Sequence, residues 1–333
     1  MSREKDCLVS LIVPLFNDSS VIASFVKDAH QELSSRYENF EIVLVDDGST
    51  DSTSRVVESI LSSLDCIRFL RLSRHFGLEI AISAGFETAI GDYTIVMLPE
   101  FDPVNSISEI VQTLRSSRGL VIGRSKEPLY GSFHRIVQRL FSKACSRFFD
   151  IQVHEDTTYL LALNRNTLNS LNKIRDRFKH IKTFSDYVGS SPTFFDYTLV
   201  SRSGRRWGRS LYEAINLAID IVVSNSVRPL RYISLLGLTV SGINLAYFGY
   251  IGLIAFFKKN VAEGWTTLST QSALSFFVLN LVLSVICEYL GRILVESKDR
   301  PAYFIVEERN SSVLIAEKDR RLNIVTTSTS NVA

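Results

Sequence analysis

Cysteine is scarce in this sequence and carries no pattern. The 333 residues contain four cysteines, Cys7, Cys66, Cys145 and Cys287, with no C-x-x-C spacing and no histidine-rich neighbourhood. That argues against zinc and disulfide frameworks. Proline is also rare, at 7 residues, and no internal repeat or low-complexity tract precedes the polar end NIVTTSTSNVA. With 46% hydrophobic and 22% charged residues, the composition excludes intrinsic disorder and a collagen-like repeat. The N-terminal MSREKDCLVS holds no cleavable signal, so the first 230 residues are expected in the cytoplasm.

Two long uncharged runs are present instead. Residues 232–257 extend 26 positions without a charge, and residues 264–287 another 24. At about 1.5 Å per residue each is long enough to cross a hydrocarbon core. The expected organisation is a cytoplasmic domain over 1–207, a juxtamembrane amphipathic helix over 208–231, a two-helix transmembrane hairpin over 232–290 and a tail over 291–333 with a disordered end. Arg228 and Arg231 precede the hairpin, and Arg292, Lys298 and Arg300 follow it. Positive-inside counting therefore puts both termini in the cytoplasm, as in a multi-pass inner-membrane protein. The N-x-S/T matches at Asn17 and Asn310 would then never meet a glycosylation machinery.

A net charge of +2 conceals two basic stretches on an acidic globule. Residues 131–149 carry four basic residues and no acid, and residues 200–231 carry six against two. Their position beside the first hydrophobic run suggests anionic lipid headgroups or phosphate rather than nucleic acid. In 131–149, Phe133, Ile136, Val137, Leu140, Phe141 and Phe148 fall at helical spacing, with Arg135, Arg139, Lys143 and Arg147 elsewhere. Such a helix either lies in a membrane interface or packs on the domain. Residues 210–226 form a second amphipathic pattern.

Ahead of these stretches, apolar runs alternate with helical patterns. Strands are expected at 8–14, 41–47, 67–72, 93–98 and 120–123, and helices at 19–35, 51–62, 77–90 and 106–115. This alternation implies an α/β fold with a parallel sheet covered on both faces. In such sheets ligands bind beyond the carboxyl ends of the strands, here Pro14–Asn17, Asp46–Gly48, Ser73–His75 and Leu98–Asp102.

The strand-end motifs V-P-L-F-N (13–17) and V-D-D-G-S-T-D (45–51) resemble the nucleotide-binding half of GT-A-fold, family-2 glycosyltransferases. R-H-F-G-L-E-I-A (74–81) is similar to that family's R-N-F-G-K-x-x-A, with His75 and Leu78 replacing Asn and Lys. V-R-P-L-R (227–231), E-G-W-T-T-L (263–268), C-E-Y-L-G-R (287–292) and R-P-A-Y (300–303) resemble the two-helix branch. That branch includes bactoprenol glucosyltransferases and relatives of dolichol-phosphate mannosyltransferase. The resemblance runs from about residue 8 to 306.

What the resemblance implies is inverting transfer from a nucleotide sugar, UDP-linked, to a polyprenyl phosphate such as undecaprenyl phosphate. Pro14, Phe16, Asn17, Asp46, Asp47 and Gly77 would bind the donor, a carboxylate accepting the uracil N–H and Phe16 packing on the base. Ser49 and Thr50 would stabilise the turn. The acceptor phosphate is already anionic, so catalysis rests on positioning and on stabilising the departing diphosphate. A divalent ion, Mg²⁺ or Mn²⁺, normally does the latter. The family's D-x-D-x-x-D-P reads M-L-P-E-F-D-P (97–103) here, with Leu98 at the first Asp position. Glu100 and Asp102 would form a reduced metal site; the alternative is a helix-capping turn in a metal-free or inactive protein. Within H-E-D-T-T-Y-L (154–160), Glu155 or Asp156 stands near a family carboxylate, and Asp156 joins Glu100 and Asp102 as a catalytic candidate. Arg124, Arg135, Arg139, Arg202 and Arg206 are the candidates for the acceptor phosphate, through arginine's bidentate fork.

Two other readings stand beside this one. A catalytically silent relative acting as a scaffold or partner would fit the altered metal motif. A processive polysaccharide synthase is hinted at by Arg206–Trp207, but Ser203 occupies the glutamine position of the Q-x-x-R-W pattern, and two membrane helices are few for an export channel. Related proteins assemble through their membrane helices, which leaves a homo-oligomer open. The sugar itself is fixed by no motif.

Overall fold

The computed structural model describes residues 4–127, 129, 132–149, 157–173, 192–204, 264–297 and 303–311, together with 228, 232 and short helical pieces between 235 and 250. The juxtamembrane helix expected at 210–226 and most of the first hydrophobic run lie outside the described residues. So do Asp156 and Arg206.

Strands β1 (Glu4–Leu15), β2 (Tyr37–Asp46), β3 (Ile67–Leu72), β4 (Tyr93–Val96) and β5 (Leu120–Ser125) fall where the apolar runs place them. Helices α1 (Ile22–Arg36), α2 (Thr53–Ser63), α3 (Leu78–Thr88) and α4 (Ile107–Ser116) alternate with them. Alternation of side chains sorts β1 onto two cores. Leu11, Val13 and Leu15 pack with α1 and α4 on one face, while Ile12 packs with α3 on the other. A strand buried on both faces has to be apolar throughout, which is why L-V-S-L-I-V-P-L shows no polar alternation.

Three strands have no counterpart in the expected order. β6 (Thr157–Asn164), β7 (Thr193–Tyr197) and β8 (Ile305–Asn310) complete an eight-stranded sheet of order β7-β5-β6-β4-β1-β2-β3-β8. The β1–β2, β2–β3, β1–β4 and β5–β7 pairs are parallel, whereas β6 and β8 run antiparallel to their neighbours. The fold is thus the GT-A-type α/β arrangement with a mostly parallel, mixed sheet. β8 comes from the segment expected as a tail, and it is held to β3 over Arg68–Leu72. Ser311 fastens its end through both backbone and hydroxyl to Ile67.

The strand directions have a geometric result. β7 runs parallel to β5, so it ends on the carboxyl edge of the sheet; β8 runs antiparallel to β3, so it begins on that same edge. The Ser73 N–H donates to the Phe304 carbonyl there at 2.9 Å. The intervening chain contains α7 (Trp265–Ser297), about 50 Å long at the usual rise. Among the described residues it is the one helix long and apolar enough to cross a membrane by length and composition, and its Leu274–Gly291 stretch has no buried residue.

Two further described helices are α5 (Ser132–Ala144), continued by a π-helical turn at Cys145–Phe149, and α6 (Arg165–Lys173). Ile136, Val137, Leu140 and Phe148 on α5 and its extension are exposed, so this apolar face is not covered by the domain.

Candidate active site

In a parallel sheet, two neighbouring strands whose connections depart in opposite directions leave a crevice at their carboxyl ends. β1 connects forward to β2, while β4 lies on its other side, so the crevice falls between β1 and β4. A cleft of about 200 Å³ opens there. Pro14, Phe16 and Asp18 line it from the end of β1, Asp47 and His75 from the ends of β2 and β3, and Leu98, Pro99, Glu100 and Phe101 from the end of β4.

The two expected carboxylates of β2 have different positions. Asp46 is fully buried and does not line the cleft. It accepts the Ser49 N–H at 2.9 Å and the Ser54 hydroxyl at 3.0 Å, with the Arg71 guanidinium 3.5 Å away. Asp47 faces the cleft. It accepts the N–H groups of Phe76 and Gly77 at 2.7 and 2.8 Å, and His75 Nδ1 lies 2.8 Å from it. Burial pushes the Asp47 carboxyl above its ordinary value, and these donors pull it back. Gly77 therefore serves through its backbone. Gly48 permits the approach of the two loops: at φ +71°, a Cβ there would stand 2.7 Å from the His75 nitrogen.

Phe16 stacks on His75 with ring centroids 4.0 Å apart and a 26° interplanar angle. Asn17, expected as a donor ligand, turns its side-chain oxygen to the neighbouring loop. Its φ is 55°, and its side-chain oxygen accepts Thr50 N–H at 2.9 Å and Asp51 N–H at 3.3 Å. The Ser49 hydroxyl in turn accepts the Asn17 N–H at 3.0 Å, the turn-stabilising role expected of it. Asp18, which the motif reading passed over, accepts the Phe16 N–H at 2.9 Å and lines the cleft.

The loop after β4 is moulded by residues 197–203. Asp102 is turned inward and is absent from the cleft wall: it accepts Leu98 N–H at 2.6 Å and a close hydrogen bond from the Tyr197 hydroxyl. Burial raises its carboxyl to about 6 despite these donors. The guanidinium of Arg202, expected at the acceptor phosphate, donates to the carbonyls of Pro99 and Asp102 at 2.5 and 3.0 Å. Burial lowers its pKa, opposed by the charges of Asp28, Asp102 and Glu100. Glu100 reaches the cleft, with Oε1 accepting Ser203 N–H at 2.9 Å and the Ser201 hydroxyl at 3.2 Å. No sequence pattern tied Tyr197, Ser201 and Ser203 to this loop, because their partners lie about a hundred positions earlier.

These placements decide what could hold a divalent ion. Mg²⁺ takes one or two carboxylates and completes its shell from substrate phosphates and water. Glu100 fits that role. Asp102, with both oxygens engaged inside the protein, does not, so the expected Glu100–Asp102 pair is not formed. Among the described residues no three His, Cys, Asp or Glu side chains gather as a metal-binding group.

Of the expected phosphate-binding arginines, Arg124 is in a bidentate pair with Asp196 at 2.6 and 2.9 Å and lies over the Phe194 ring. Arg135 and Arg139 lie on α5, apart from the cleft-lining residues, with Arg139 exposed.

Residues 10–170 match the family model described as glycosyl transferase family 2. The bactoprenol glucosyl transferase of Shigella phage SfV is 26% identical over 303 residues, covering 90% of this chain and 99% of that one. An uncharacterized glycosyltransferase of Bacillus subtilis, YkcC, is 26% identical over 298 residues, 89% of this chain and 92% of its own. Another, sll0501 of Synechocystis, is 27% identical over 314 residues, 93% and 98%. A solved glucosyl-3-phosphoglycerate synthase of Mycobacterium tuberculosis, in complex with Mn²⁺, UDP-glucose and phosphoglyceric acid, aligns at a TM-score of 0.46. It shares 14% identity over 66% of this chain and 78% of that one. With strand order, cleft and family match in agreement, this chain carries a glycosyltransferase family 2 domain over residues 10–170 and is a glycosyltransferase.

Proposed function

We propose that the protein is membrane-attached and transfers a sugar, with inversion, from a UDP-linked donor to a polyprenyl phosphate, undecaprenyl phosphate in a bacterium, on the cytoplasmic face. The observation that carries this reading is that the cleft and both ends of the segment containing α7 share one edge of the sheet. An acceptor whose lipid tail stays in a membrane is then presented on the side where the donor lies. The bactoprenol glucosyl transferases, which match over nearly their whole length, agree with such an acceptor.

In this reading Phe16 stacks on the base, Asp47 fixes the wall beside it, and Glu100 faces the diphosphate. An oxygen of the acceptor phosphate attacks the anomeric carbon, and the bond to the leaving diphosphate breaks with its electron pair passing to that diphosphate. No general base is needed, since the attacking oxygen is already ionised; the domain's task is alignment. A divalent ion held by Glu100 would supply neutralisation of the charge on the leaving group. The exposed apolar face of α5, flanked by Arg135, Arg139 and Lys143, fits a membrane interface. Arg135 and Arg139 remain the acceptor-side candidates. The hairpin at 232–290 is proposed as the anchor.

The test is transfer by the purified full chain in detergent, with labelled UDP-sugars and undecaprenyl phosphate, with and without Mg²⁺ or Mn²⁺. Metal-dependent product is expected, lowered about 10²- to 10³-fold in Glu100→Ala, as for loss of one electrostatic contact to a transition state. The inward position of Asp102 favours a silent relative as the second reading, and absence of product from every donor in folded protein would establish that instead.

A further inference from the structure

The turn after β4 is held by a segment about a hundred positions away in the sequence. The turn closes on Leu98, whose carbonyl accepts the N–H groups of Phe101 and Asp102 at 3.2 and 3.0 Å. The next carbonyls, those of Pro99, Glu100, Phe101 and Asp102, all accept from Val200 or Arg202. The Arg202 guanidinium donates to Pro99 and Asp102 at 2.5 and 3.0 Å, and its backbone N–H to Glu100 at 3.3 Å. The Val200 N–H donates to Phe101 at 2.9 Å.

Backbone groups in a turn have no ladder to pair with, so their partners decide which form the turn takes. Here one arginine satisfies three of the carbonyls. Its planar fork reaches two of them together, which the compact ammonium of a lysine would not do. Arg202 is itself fixed, with its guanidinium 5.0 Å from the centre of the Phe25 ring on α1. Glu100 stands within this turn, only 3% exposed and on the cleft wall. Its Oε1 accepts the Ser203 N–H at 2.9 Å and the Ser201 hydroxyl at 3.2 Å. Main chain and carboxylate of Glu100 are therefore both aimed by residues 201–203. Preorganisation of this kind places a group for catalysis without reorganisation during the reaction.

We propose that Arg202 and Ser201 are positioning residues for sugar transfer, acting through Glu100 by holding its carboxylate in the orientation that serves the leaving diphosphate. The proposal rests on the reading of Glu100 as the carboxylate that faces the diphosphate. It gives Arg202 a task other than the acceptor phosphate expected of it. It also carries a signature: loss of either residue is felt only while Glu100 is present.

The test is a double-mutant cycle on the full chain in detergent, with Arg202→Ala and Ser201→Ala each made alone and with Glu100→Ala. Transfer from labelled UDP-sugars to undecaprenyl phosphate is one readout, and Mn²⁺ binding in the presence of UDP, followed by electron paramagnetic resonance, is the other. Arg202→Ala should lower kcat about 10²-fold, the size of a misplaced reacting group, and Ser201→Ala about fivefold, the size of one hydrogen bond. Both should weaken Mn²⁺ binding and leave the KM for undecaprenyl phosphate unchanged. In the Glu100→Ala background neither should lower transfer further. Ser201 is exposed, so if Arg202→Ala fails to fold, as its thermal midpoint reports, the Ser201 cycle decides alone. Losses that multiply with that of Glu100→Ala, Mn²⁺ affinity unchanged by both variants, or a raised KM for undecaprenyl phosphate overturn the positioning role and leave the transferase reading intact. No product from any UDP-sugar with folded wild-type protein removes that reading, and the positioning role with it.

Discussion

Two strand ends carry paired acidic residues, and they are built in opposite ways. At the end of β2, Asp46 is buried and Asp47 lines the cleft; at the end of β4, Asp102 is buried and Glu100 lines the cleft. Each pair thus has one carboxylate turned into the protein and one on the cleft wall. The partners differ in origin. Asp46 and Asp47 are satisfied by residues within about thirty positions, from Ser49 to Gly77. Glu100 and Asp102 depend on Tyr197, Ser201 and Ser203, about a hundred positions on. The first pair is a property of the N-terminal βαβ units, whereas the second exists only when β7 and the turn after it have docked.

The sharpest way to break this symmetry is to remove the two members turned away from the cleft. Asp46→Ala strands the Ser49 N–H and the Ser54 hydroxyl and leaves Arg71 uncompensated. Arg71 is partly exposed, which softens the loss, so destabilisation of about 3–4 kcal/mol is expected in denaturant unfolding. Asp102 differs in the sign of its pH dependence. Its folded carboxyl lies at about 6, above the ordinary value of 3.8, so between these values the native state holds the extra proton. Stability is therefore greatest below the lower value and falls as pH rises through about 6, by roughly 3 kcal/mol in all. Asp102→Asn cannot titrate, and the unfolding free energy between about pH 4 and pH 7 should lose this slope whatever the variant's absolute stability. Tyr197→Phe has the smallest expected effect, about 1–2 kcal/mol, because Asp102 and Thr158 each lose one hydroxyl partner. It should also move the Asp102 transition to higher pH, since the lost hydrogen bond favoured the ionised form. A transition at unchanged pH would mean that the Tyr197 hydroxyl does not govern that carboxyl.

The same division explains what could be read from the sequence. β1 to β5 and α1 to α4 were legible because each is a long apolar run or a strong helical period. β8 was not: I-V-E-E-R-N is mostly exposed, and it becomes a strand through pairing with β3, more than 230 positions earlier. T-T-Y-L-L-A-L-N was obscured by its overlap with a motif that drew attention to carboxylates, although Thr157–Leu163 is wholly buried. In the site, the acidic pairs were legible from their positions after strands. Which member of each pair faces the cleft was not, since that depends on the φ of Gly48 in one loop and on Tyr197 in the other. Asn17 shows another limit of the motif: its side-chain oxygen is bonded to the neighbouring loop, which its place at a strand end does not reveal. Both α4 and α5 carry an apolar face, yet α4 buries Ile107, Ile110, Val111 and Leu114 while α5 leaves its face open. A period reveals that a face exists and is silent about what covers it.

The strands that flank the α7 segment are the two outermost members of the sheet, β7 at one margin and β8 at the other. With neighbouring strands about 4.8 Å apart, seven intervals separate these moorings by roughly 34 Å. The two points at which the chain leaves and rejoins the sheet therefore stand far apart along its carboxyl edge. The crevice between β4 and β1, the fourth and fifth strands of eight, sits at midspan. The chain thus leaves the sheet at one margin and returns at the other, with the mouth of the cleft centred between the two points.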